Sequence, residues 1–77
     1  MDTGEHTMHA LFEQLGLASD EASVQAFIRQ YSPLAEELAL FDAPFWTASQ
    51  AAFLREAFKQ DADWAVVIDQ LNLSLRG

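Results

Sequence analysis

Apolar residues recur three and four positions apart in short runs along this chain, and nearly every run is closed by a residue that stops helices. Met8, Leu11, Phe12 and Leu15 form the first run, and Gly16 follows where a left-handed residue is needed to end a helix. Leu17 is then placed to fold back on Phe12. The second run, Val24, Phe27, Ile28 and Tyr31, opens behind Ser19 or Asp20 as N-cap. It stops before Pro33, which disfavours helical geometry at Ser32. The stretch "SPLAEEL" predicts a short third helix with proline in its first position, and "ALFDAPF" reads as an apolar connecting loop. Thr47 and Gln50 make a capping-box pattern ahead of Ala51, Leu54 and Phe58, with Phe53 and Ala57 widening the arc. Asp61 is a candidate cap for the last run, Trp64, Val67, Ile68, Leu71 and Leu75. No glycine or proline separates the last two runs, so they are read as two helices or as one continuous helix. Alternating strand patterns and hairpin dipeptides are missing. The expected fold is all-α, a compact bundle of four to five short helices at approximately 8–15, 20–31, 33–39, 48–59 and 62–75. It forms one domain, 1–77, with residues 1–6 flexible.

The size of the chain makes each of those apolar residues matter. At 77 residues it buries only about 60% of its unfolded surface, and without cysteine it has no disulfide to compensate. The absence of cysteine and of a basic, apolar leader in "MDTGEHTMHA" points to a cytoplasmic protein. No apolar run approaches the roughly 20 residues of a membrane-spanning helix. A formal charge of -8 disfavours nucleic acid as a partner. Much of that charge has a structural reading. Asp20, Glu21, Glu36, Glu37, Asp61 and Asp63 lie at predicted helix starts, and Arg29, Lys59 and Arg76 near predicted ends, as helix dipoles favour. The link between the first two helices could suggest a DNA-binding helix-turn-helix, but its second helix is acidic at the start and carries only Arg29.

Chemical sites are sparse. His6, His9 and Glu13 are spaced to line one helix edge and are the candidate zinc ligands, although nothing completes a closed site around them. Ser19, Ser23, Ser32, Ser49 and Ser74 have no histidine nearby in sequence, and no glycine-rich phosphate cradle is present. No catalytic residue and no cofactor are expected. The aromatic pair Phe45 and Trp46 precedes the Thr47 cap, where Trp46 could staple the helix across Ala51 while Phe45 points the opposite way toward the bundle. Burial of all the helical runs still leaves Phe41, Phe45 or Trp46, Val66 and Leu73. Val66 and Leu73 lie seven apart on a second face of the last helix, which is either central to the bundle or in contact with another chain.

Together "LFEQLGL", "DAPFW", "FLREAF" and "DADWA", in that order, resemble a family of small bacterial proteins catalogued only as a domain of unknown function, over nearly the whole chain. The resemblance implies a short, free-standing, cytoplasmic helical protein of Gram-negative bacteria with no assigned activity, cofactor or substrate. It also implies that Val66 stands where relatives carry a charge, so that the second apolar stripe is this chain's own.

The function expected from these features is a non-catalytic protein-interaction module, a homodimer or an adaptor, whose partner-binding candidates are Phe41, Phe45, Trp46, Val66 and Leu73. The alternative is a small apolar-ligand carrier in which Phe41, Phe45, Trp46, Phe53 and Trp64 line a pocket.

Overall fold

The computed structural model describes residues 7–77. The flexibility expected of residues 1–6 and the position of His6 lie outside the described residues. Four helices and one 3-10 turn follow in order: α1 Met8–Gln14, α2 Glu21–Tyr31, the turn Leu40–Asp42, α3 Ala48–Gln60 and α4 Ala62–Arg76. No strand occurs among the described residues.

Local chemistry sets each boundary. Thr7 caps α1 by accepting from the Ala10 N–H at 3.1 Å. At the other end Gly16 adopts φ +75°, the Gly16 N–H donates to the Glu13 carbonyl and the Leu17 N–H donates to Phe12. This paired arrangement satisfies two carbonyls that the helix end would otherwise leave open, and it turns Leu17 back onto the core. Asp20, rather than Ser19, caps α2. Thr47 and Gln50 form the full capping box of α3, each side chain bonding the other's backbone N–H at 3.1 and 2.9 Å.

The last two runs are separate helices, and Asp61 makes the break. Its own N–H closes α3 on Ala57, while its carboxylate accepts from the N–H groups of Asp63 and Trp64 to open α4. The backbone at φ -134°, ψ 109° is extended, so one residue serves as the end of one helix and the cap of the next.

The helix expected at 33–39 does not form. Leu34 and Leu40 are both buried in the same core. Six positions apart on a helix their directions would lie about 120° apart, and irregular backbone brings both to one core. Other elements hold that backbone: the Leu34 N–H donates to the Leu75 carbonyl at 2.6 Å, and Arg76 Nη1 donates to the Ala35 carbonyl at 2.5 Å. The Ser32–Pro33 peptide is cis. Glu36 and Glu37 consequently sit in an exposed turn instead of a first helical turn.

The core is assembled from Leu11, Phe12 and Leu15 of α1, Val24 of α2, Leu54 of α3 and Val67, Ile68, Leu71 and Leu75 of α4, completed by Leu34, Leu40, Ala43 and Trp46 from the long connection. Helix α4 packs against α1, α2 and α3 through this one face. No polar or charged residue is buried among the described residues.

Candidate functional site

A helix that seals the core on one side still has another. At about 100° per residue, the buried residues of α4 centre on Leu71, and the direction opposite them carries Val66 and Leu73, which remain 59% and 63% exposed. These two, which sequence spacing had already placed on a second face, lie two turns apart with Asp69 and Gln70 between them. Alongside runs a groove of about 210 Å³ between α4, the end of α3 and the 3-10 turn. Phe41 and Phe58 form its outer wall, their rings edge to face at 5.7 Å, and Asp69, Asn72 and Arg76 form the α4 side. Asp69 therefore belongs both to the groove and to the edge of the Val66–Leu73 strip.

Phe58 is the surface residue that helical periodicity misses. Its place four after Leu54 predicts that it joins the buried stripe, yet it is 42% exposed. The signal available in the sequence is its position two residues from the end of α3, beside Lys59, where the stripe runs past the core. Arg55 adds a polar edge to the same wall: its guanidinium lies 6.0 Å from the Phe41 ring centre and 4.0 Å from the Asp42 carboxylate.

The rest of the aromatic set lies elsewhere. Trp46 is only 8% exposed, and its Nε1–H donates to the buried Leu40 carbonyl at 2.9 Å. Its ring stacks on Phe27 at 5.6 Å, and Phe45 meets the same Phe27 at 5.7 Å and stacks on Tyr31 at 4.4 Å. Phe45 and Trp46 do not point opposite ways; they are 4.9 Å apart and share Phe27, because α2 supplies an aromatic ledge for both. Trp46 is thus an internal clamp on the long connection, and Phe45 is half-buried beside it. Phe53 and Trp64 pack edge to face with each other at 6.1 Å, so the five rings considered for a ligand pocket are divided among three separate contacts.

Of the candidate metal ligands, His9 and Glu13 both turn toward the α1–α2 connection. His9 Nδ1 donates to the Ser19 carbonyl at 2.6 Å, and since a carbonyl only accepts, Nδ1 carries a proton. Ser19 Oγ donates to Glu13 at 3.4 Å. The neighbouring Asp20 carboxyl is held below its ordinary pKa, first by a side-chain hydrogen bond from Ser23, then by the Ser23 N–H, with a smaller contribution from His9. Among the described residues no group of three His, Cys, Asp or Glu is placed to hold a metal ion.

Fold and surface define a small all-α bundle whose distinctive exposed feature is an apolar strip beside a groove. The chain belongs to the family described as protein of unknown function (DUF2789), whose model matches residues 1–75, in agreement with the resemblance carried by its four motifs. Among solved structures it is similar to protein CV0237 from Chromobacterium violaceum, a structural genomics target determined by solution NMR. The two are 46% identical, the match covers 99% of this chain and 95% of that one, and the TM-score is 0.79. No curated protein matches the sequence. Among the described residues no helix is long and apolar enough to cross a membrane.

Proposed function

We propose that this chain is a non-catalytic protein-interaction module whose contact surface is the outer face of α4 together with the adjoining groove. The observation that supports this reading is the exposure of Val66 and Leu73 on a helix that buries four other aliphatic residues. Single exposed aliphatics are ordinary on a protein surface. An aligned pair bordering a groove walled by a half-exposed phenylalanine is instead a contiguous apolar strip, the kind of surface that partners cover. Phe41, Val66 and Leu73 are the sequence candidates that contribute to it, with Phe58 added. Trp46 contributes stability to the fold, and Phe45 lies with it.

A photo-crosslinking side chain introduced at position 66 or 73 in cells tests the proposal, with position 25, exposed on α2, as control. Discrete adducts at 66 and 73 and none at 25 are expected. Equal or no crosslinking at all three positions refutes the surface. Light scattering of the purified chain distinguishes the two kinds of partner, since a mass of 8.6 kDa at micromolar concentration leaves another protein as the occupant.

A further inference from the structure

We infer that the occupant of the α4 surface is a basic amphipathic helix of another protein, an inference that rests on the interaction reading above. At about 100° per residue, Ala62, Val66 and Leu73 fall within about 40° of one another around α4. Asp69 flanks them about 40° beyond Leu73, and Asp63 flanks them about 60° beyond Val66 on the other side. The strip is therefore apolar along its middle, with one carboxylate on each edge and neutral Gln70 between Val66 and Asp63. Both carboxylates are exposed, and no ion pair joins either to a cation among the described residues. Arg76, the cation nearest Asp69 in sequence, is drawn away by its bonds to Asn72 Oδ1 and to the Ala35 carbonyl. A partner presenting apolar residues at i, i+3 or i+4, and i+7, with lysine or arginine on either side, complements this pattern in both respects.

A second copy of the chain does not. An antiparallel two-fold pairing along α4 centred between Val66 and Leu73 brings Asp69 beside its own counterpart, because Asp69 lies at mid-length on one edge of the strip, and a parallel one sets the Asp69 edge against the partner's Asp63 edge. Like charges facing one another across an interface oppose association, and each chain already carries -8. Dimensions agree. The 15 residues of α4 make a strip about 22 Å long and about 10 Å wide, about 220 Å², far less than the roughly 800 Å² per partner that a standard stable dimer buries. That length suits a single helix laid alongside, with one larger apolar side chain entering the groove beside the Phe41 and Phe58 wall.

The test uses two synthetic helix-forming peptides with leucine at those spacings, identical except that one carries lysine and the other glutamate along both edges. Each is titrated into the ¹⁵N-labelled full chain at low salt and followed by amide chemical shifts. The lysine peptide is expected to shift residues 58, 62, 66, 69, 70 and 73, and to bind several-fold more weakly when salt is raised. The double variant Asp63→Asn, Asp69→Asn is expected to bind it roughly fivefold more weakly, as two partly screened charge pairs imply. The variant Val66→Ser, Leu73→Ser is expected to lose it, with amide spectra showing both variants folded. Equal binding of the two peptides, shifts on another face, or no shifts with the lysine peptide overturns the inference. So does concentration-dependent broadening confined to α4 without peptide, which identifies a second copy as the occupant. If the peptides fail while crosslinks still form at 66 and 73 in cells, the basic-helix assignment falls and the interaction surface stands; if no crosslinks form, both fall.

Discussion

Replacing Trp46 tests the account of how the long connection is held. The indole is 8% exposed, stacked on Phe27 and bonded through Nε1 to a carbonyl that is itself buried. Trp46→Ala removes that packing and opens a cavity, a change that costs about 3 to 5 kcal/mol in a buried site. A chain of this length has a total stability of roughly 4 to 12 kcal/mol, so the alanine variant is expected to be partly unfolded or to melt far below the parent. Trp46→Phe is the sharper probe. It keeps an aromatic ring against Phe27 but removes the donor, leaving the Leu40 carbonyl without its partner at a cost of about 1 to 3 kcal/mol. Urea unfolding followed by far-ultraviolet circular dichroism reads both, because the helices report on the whole cooperative unit and Trp64 remains as a fluorescent probe. With a slope of about 1 kcal/mol per molar urea for a small domain, the phenylalanine variant is expected to unfold about 1 to 3 M earlier. An alanine variant within about 1 kcal/mol of the parent would refute the clamp. A phenylalanine variant indistinguishable from the parent would refute the hydrogen bond's share in it.

Three further outcomes are expected. Val66→Ser with Leu73→Ser changes stability by no more than about 0.5 kcal/mol per site, measured by the same urea titration; a larger loss would show that these side chains support the fold. Gly16→Ala destabilises by about 1 kcal/mol, because alanine at φ +75° is strained although nothing lies within 4 Å of the new methyl group. An unchanged melting temperature would refute the left-handed cap. Asp20 is depressed in the folded chain, so its ionised form favours folding; its contribution is present above the ordinary value of 3.8 and is lost as pH falls through the lower folded value. Asp20→Asn, which keeps a capping side chain, is therefore expected to lessen the loss of stability on acidification below that point, and an unaltered acid limb in thermal melts would refute this.

The caps were legible because they are local. Thr7, Gly16, Asp20, the Thr47 and Gln50 pair and Asp61 act through groups within a few residues of themselves, so their spacing in the chain is already their geometry. The second stripe of α4 was legible for the same reason: Val66 and Leu73 share a helix, and helical periodicity alone puts them on one side. Local spacing could not show that residues 33–39 abandon a helix, because what decides this is that Leu34 and Leu40 reach one core and that Leu75 and Arg76, some forty positions away, hold the intervening backbone. Nor could it divide the aromatics. Trp46 turns inward because Phe27 and the Leu40 carbonyl wait for it, whereas Phe58 is left at the surface because α3 continues beyond the core it helps to form. The amino-acid order thus determined where helices begin and end and which residues share a face. Which of those faces meets water was decided only when elements distant in the chain packed together, since burial belongs to neighbours in space and not to neighbours in sequence.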